Sequence, residues 1–350
     1  MAELPRTLFV GKGNMAPVWY RCALPAMVLG ADWVGVVGEP GRDLQFVTGL
    51  TPQPPAEADL DGYEVLVLQQ PAGRAWLSAI RRWRAQGIVV LVEVDDWLRG
   101  IRKLRHHDFH ASFTREQVED MERCMAAADG VICSTEWLAR RYRAVNPRTF
   151  ACRNGLDLKR YALTRPRRDQ VAIGWAGATG HAASAKPWVL EVGTVMREFA
   201  DTRFISVGQP FAGWLEPEFG RGRALAVPFS NFDTYPAAMT LFDVALAPAG
   251  QGSFFRGKSD LRWLEASALG IPVIADPDVY PEIEHGVTGF HAAGPKEMRA
   301  VLTELVGDAG LRERVGAAAR AHVAEHRTAQ VTAADWAAAL REVAPSLAAA

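Results

Sequence analysis

Short unbroken apolar runs recur along the chain, separated by longer segments in which apolar residues return every three or four positions. In the first half the runs fall at 7–10, 33–37, 65–68, 88–94, 130–133 and 149–152. Amphipathic stretches at 75–86 and 115–128 lie between them. The rhythm restarts after residue 170, with runs at 171–175, 203–207, 225–227, 244–247, 272–274 and 289–291. Runs without in/out alternation predict strands covered on both faces. Strands that alternate with helices predict parallel sheets of right-handed β-α-β units. The expected fold class is α/β, with two doubly wound, Rossmann-like domains facing each other across a cleft.

Segment 160–169 (RYALTRPRRD) is polar, contains a proline and lacks apolar periodicity, so it reads as the linker between the two series. The expected division is an N-terminal domain over 1–165 and a C-terminal domain over 166–328. An alanine-rich helix over 329–349, with Trp336 and Leu340 on one face, is expected to pack back on the N-terminal domain.

Composition agrees with two buried cores: 350 residues, 49% apolar and 23% charged, with 39 Lys+Arg against 40 Asp+Glu. Overall charge therefore points to no polyanionic partner. Cys22, Cys124, Cys133 and Cys152 are widely spaced, which predicts free thiols in a reducing, cytoplasmic setting and no zinc site. No apolar run approaches the roughly 18 residues of a membrane span, so tight membrane insertion is not expected. Charge is uneven, however. Between residues 99 and 168 there are 16 Lys/Arg against 8 Asp/Glu. This run reads either as a solvated face or as a basic rim that draws an anionic polymer.

The most informative segment is 242–290. A strand closing at Pro248 leads into a glycine-containing loop, then Gly257-Lys258-Ser259, with Ser259 as the expected N-cap of a helix over 260–269. Exposed amides and the positive end of a helix dipole favour an anion at such a place, and Lys258 adds a full charge. The expected anion is a diphosphate. Glu265, nearly two turns along, offers a carboxylate to a ribose diol. The stretch GSFFRGKS (252–259) also matches the Walker pattern G-x-x-x-x-G-K-[ST] literally, which opens a second reading as a P-loop phosphotransferase. Its place deep in the second series, with no evident Walker B strand after it, weighs against that reading.

The segment LEASALGIPVIADPDVYPEIEHGVTGF (264–289 and the following Phe290) resembles the C-terminal half of GT-B glycosyltransferases, in particular retaining family 4. Glu265, Ala268, Gly270, Pro272, Val273 and Ile274 carry the match, followed by Ile283, Gly286, Thr288 and Gly289. CRNGLDLKRY (152–161) and DGVICSTEWL (129–138) resemble further family segments. VEVDDW (92–97) is similar to a strand end of the phage and bacterial surface-polysaccharide branch, and GWAGATGH (174–181) to the first glycine-rich loop of the C-terminal domain. The resemblance implies transfer of a sugar from a nucleotide-sugar donor, such as a UDP- or GDP-sugar, to an acceptor hydroxyl. It further implies retention of configuration and no metal cofactor. One departure stands out: the family's Glu-x7-Glu is incomplete, because Gly257 stands eight residues before Glu265. A non-catalytic nucleotide-binding module therefore remains a third reading.

The residues assigned on this basis fall in three groups. Lys258, Asp96 and His107 are the expected catalytic residues. Gly177, Gly180, His181, Phe255, Gly257, Ser259 and Glu265 are expected around the donor. Lys12, Gly13, Arg21 and Asp95 are expected on the acceptor side. Adjacent carboxylates at Asp95 and Asp96 and histidines at 106, 107 and 110 invite a metal reading, but the carboxylates lack the usual intervening residue and no glutamate-rich partner follows the histidines, so no metal is expected. The acceptor is left open: a polysaccharide, a membrane-surface glycan, a protein, or hydroxymethylated DNA with its target base flipped out.

Overall fold

The structure, a computed structural model, describes residues 4–12, 16–35, 54–101, 103, 113–166, 168–177, 182–229, 231–250 and 252–344. The chain divides into two compact units: Met1–Gly155 with Gly257–Ser259 and Ala329–Ala350, and Leu156–Arg256 with Asp260–Thr328.

The first unit is built on six parallel strands: β1 (Thr7–Gly11), β2 (Asp32–Gly35), β3 (Val65–Gln69), β4 (Val89–Val94), β5 (Gly130–Cys133) and β6 (Thr149–Ala151). They lie in the order β2-β1-β3-β4-β5-β6, with Phe9 opposite Val67 and Val67 opposite Leu91. β1 and β3 are buried along their whole length, as unbroken apolar runs require. The helix Arg74–Ala85 buries Trp76, Ala79, Ile80 and Trp83, a spacing of three, four and seven that places them on one face. The helix Arg115–Ala127 starts at a capping box in which Thr114 and Gln117 satisfy each other's backbone amides. The terminal helix Ala329–Val343 belongs to this unit, and its Trp336 and Leu340 join Phe9, Val67 and Ile132 in one core. All four cysteines are buried, unpaired thiols.

The second unit repeats the plan with β7 (Val171–Gly177), β8 (Thr202–Gly208), β9 (Ala224–Val227), β10 (Val244–Ala247), β11 (Val273–Ala275) and β12 (Phe290–His291). Its order is β12-β11-β10-β7-β8-β9, all parallel. Connections wind outward in both directions from the β7–β10 pair, so strand order reverses there. In a sheet of this kind the crevice beyond the carboxyl ends at that reversal is the ligand position.

All twelve expected strands are present, though only residues 32–35 of the second are described. The described residues of segment 160–169 lie inside the second unit and are bonded to it. Arg160 donates to Asp233 and to the Phe232 carbonyl, while Arg165 donates to Asp243 and the Phe242 carbonyl. Its polarity reflects arginines that bond folded backbone, a pattern that a linker's solvated side chains mimic in sequence.

Candidate functional site

At the reversal point of the second unit, β7 ends at Gly177 and β10 at Ala247. β10 continues through Pro248 into a short helical turn, Ser253–Arg256, and then into the helix Leu261–Ala268. The N-cap of that helix is Asp260 and not the expected Ser259. Asp260 does not cap with its side chain. Its carboxylate is held by the buried Arg327, with Nη1 at 2.6 Å from Oδ2 and Nη2 at 2.9 Å from Oδ1. Arg327 also donates to Glu282. The guanidinium thus draws the N-cap carboxylate away from the first-turn amides, which a side-chain cap would otherwise occupy.

Glu265 faces inward and is only 6% exposed. Tyr161 Oη donates to its Oε1 at 3.3 Å, and Tyr235 bonds the same carboxylate. Burial, and then the Glu265 charge, push the Tyr235 phenol well above its usual value, so it stays a donor. Both hydroxyls thus bond the Glu265 carboxylate, a group with about four acceptor positions.

The second residue of the helix, Arg262, was not anticipated from sequence. Its Cζ lies 5.5 Å from the Trp175 ring centre, and Nη1 lies 3.5 Å from the Pro248 carbonyl. A Cβ on Gly177 would come within 3.3 Å of Nη2. The guanidinium therefore lies beside the ends of both β7 and β10.

Other expected donor residues fall differently. Phe255 is buried against Phe254, and a Cβ on Gly250 would meet its ring at 2.3 Å, so its side chain serves packing. That helical turn also alters the Walker reading. A P-loop wraps phosphates with consecutive open amides, whereas Ser253–Arg256 coils into a turn that buries Phe254 and Phe255. Gly180 and His181 lie outside the described residues, as do Gly13 and the histidines at 106, 107 and 110.

Gly257, Lys258 and Ser259 group with the first unit. Lys258 Nζ donates to Asp96 Oδ1 at 2.7 Å, with the side chains 30% and 23% exposed. The structure thus brings together two residues expected to be catalytic, but as an ion pair. Around them the carboxyl ends of β1, β3 and β4 gather a polar cluster. Lys12 donates to Gln70 Oε1 at 3.2 Å, and Gln70 Nε2 donates to Asp95 Oδ1 at 2.6 Å. The Lys12 backbone amide donates to Gln69 Oε1. Burial lowers the Lys12 ammonium against the pull of Asp95 and Asp96. Burial, followed by the neighbouring Asp96 charge, raises the Asp95 carboxyl. Gln70 sits at φ 45°, a left-handed conformation that side chains other than glycine adopt at a cost.

Arg21, expected on the acceptor side, is buried within the first unit. It is 1% exposed and donates from Nε to Glu93 at 2.6 Å, and from Nη1 to the Cys152 carbonyl and Asn154. Its Cζ stands 4.7 Å from the Trp336 ring centre, so it ties the terminal helix to the sheet. Seven of the sixteen cations of the basic run between 99 and 168 are paired in the described residues. Arg99, Arg115, Arg123, Arg143, Arg153, Arg160 and Arg165 each pair with a carboxylate.

Sequence signals existed for some of what was missed. The glutamines at 69 and 70 close an otherwise apolar strand, and Arg262 puts a cation in a helical first turn, where carboxylates are preferred. Nothing in the sequence announces Arg327. Among the described residues no group of three or more metal-ligating side chains occurs.

Comparison with known proteins agrees with this layout. Residues 192–338 match the family model described as glycosyl transferase-like. No curated protein matches the chain in sequence. Among solved structures, HepE from Anabaena in complex with UDP and glucose is 12% identical, with a TM-score of 0.68 over 95% of this chain and 98% of that one. A glycosyltransferase from Rickettsia africae is 12% identical, with a TM-score of 0.65 over 97% and 98%. A mutant of TarM from S. aureus, in complex with fondaparinux, alpha-GlcNAc-glycerol and UDP, is 13% identical, with a TM-score of 0.59 over 79% of this chain. This chain spans only 55% of that TarM chain's length. At such identities the structural likeness establishes the fold, which is GT-B.

Proposed function

We propose that this protein is a glycosyltransferase that moves a sugar from a nucleotide-sugar donor to an acceptor hydroxyl. The observation that carries the proposal is the β7–β10 reversal point, where the uncapped start of the helix Leu261–Ala268 and the carboxylate of Glu265 belong to one short element. A nucleoside diphosphate needs an anion site and a diol acceptor. The helix start supplies the first and Glu265 the second.

Catalysis on this reading is electrostatic. Negative charge grows on the leaving diphosphate as the glycosidic bond breaks. First-turn amides fixed in advance stabilise it without reorganisation, and such donors are typically worth about 2.7–4 kcal/mol each. The acceptor hydroxyl is proposed to approach the polar cluster of Lys12, Gln70, Asp95 and Asp96. Retention of configuration and independence from metal follow the family resemblance. UDP is the first donor nucleotide to test, since the HepE and TarM complexes contain it, with GDP second. We place the activity in the cytoplasm, on the four unpaired thiols. Among the described residues no helix is long and apolar enough to cross a membrane. Polysaccharide, protein and modified DNA remain acceptors for trial.

A donor-hydrolysis screen with UDP-glucose, UDP-N-acetylglucosamine and GDP-mannose, with and without Mg²⁺, tests the proposal. Release of nucleoside diphosphate from at least one donor is expected. Nucleotide binding without donor consumption, even with acceptors present, would instead support a non-catalytic module. Mg²⁺-dependent ATP hydrolysis would support the phosphotransferase reading.

A further inference from the structure

We propose that Arg262, rather than Lys258, supplies the side-chain cation that holds the donor's diphosphate. The inference rests on the donor site proposed above and names a residue that the sequence motifs did not point to.

Three observations converge on it. The first is place: the guanidinium lies beside the ends of β7 and β10, near Gly177, the Trp175 ring and the Pro248 carbonyl. That is the crevice where a doubly wound sheet takes its ligand. The second is commitment of the competing cations. Lys258 donates to Asp96 at 2.7 Å, and Arg327 is held by Asp260 and Glu282. Arg262 makes no ion pair among the described residues, and its one hydrogen bond, to Pro248, stands at the 3.5 Å limit. The third is cost. A cation in a helical first turn opposes the dipole. An anion lying between the first-turn amides and the guanidinium reverses that sign.

The chemistry suits the task. A guanidinium is planar, permanently charged and forked, so it takes two phosphate oxygens at once, whereas an ammonium acts as a point charge. Gly177 has no Cβ, so the β7 backbone leaves room beside Nη2 that an alanine would fill.

The test compares UDP with uridine, and GDP with guanosine, by ligand-observed NMR titration of the wild-type protein, Arg262→Met and Arg262→Lys. Thermal unfolding confirms that each variant is folded, and Arg262→Lys carries the comparison should Arg262→Met fail to fold. Arg262→Met is expected to weaken the diphosphate at least tenfold while changing nucleoside affinity less than twofold. Arg262→Lys is expected to recover part of the loss. Equal loss for nucleoside and diphosphate would make Arg262 a wall of the pocket and overturn the inference. Unchanged diphosphate affinity would overturn it too, as would a selective loss in Lys258→Met in place of Arg262→Met. A wild-type protein that binds neither UDP nor GDP would overturn the donor site itself, and Arg262's role with it.

Discussion

Glu93 lies fully buried on β4, with Arg21 Nε donating to it at 2.6 Å. Burial pushes its carboxyl up to about 8, against the pull of Arg21. An acid whose folded value exceeds its ordinary 4.5 binds its proton more tightly in the folded chain. Its contribution to stability is then full below about pH 4.5 and is lost as pH rises through about 8. Glutamine at this position cannot titrate. Urea unfolding at pH 5 and pH 8.5 should therefore show wild type losing roughly 4 kcal/mol relative to Glu93→Gln across that interval. Parallel pH profiles for the two proteins would contradict this account of Glu93. Such pairs were not legible in sequence. Glu93 reads as a polar interruption within a strand, and its partner lies 72 residues away. Lys258 and Asp96 are 162 residues apart, so the motif that drew attention to Lys258 carried no information about what holds its charge.

The helix Leu261–Ala268 has local causes that can be read directly: Asp260 at its N-cap, Trp263, Leu264 and Ala268 buried, and Gly270 at φ 68° just after its end. Its exact start could not be read, because the choice of Asp260 over Ser259 accompanies an arginine 67 residues on. Arg327→Met would leave Asp260 and Glu282 without their shared cation. Breaking a buried pair in this way costs about 3–5 kcal/mol, which a shift in the urea midpoint would register. A midpoint within error of wild type would show that the triad does not hold this element. β7 offers a steric counterpart. A Cβ on Gly174 would fall 2.0 Å from the Phe242 ring, in the region that joins β7 to β10. Gly174→Ala is expected to destabilise by about 1–3 kcal/mol, or more if the ring cannot yield. An unchanged urea midpoint would contradict this packing.

At the scale of the whole molecule, both sheets were legible because their strands are buried on two faces and therefore apolar throughout. β3 and β10 show this most plainly. The restart of the pattern near residue 171 likewise marked a second sheet. The place where the chain passes between units was less legible. The arginines of segment 160–169 look solvated in sequence, yet Arg160 and Arg165 bond carbonyls of the second unit. The functional reading depends on one location, the crevice beyond β7 and β10. Hydrogen–deuterium exchange with and without a UDP-sugar tests that location most directly. The account predicts slowed exchange at the start of the helix Leu261–Ala268 and at the carboxyl ends of β7 and β10. Donor binding that leaves those amides unchanged, or protects only the first unit, would contradict it.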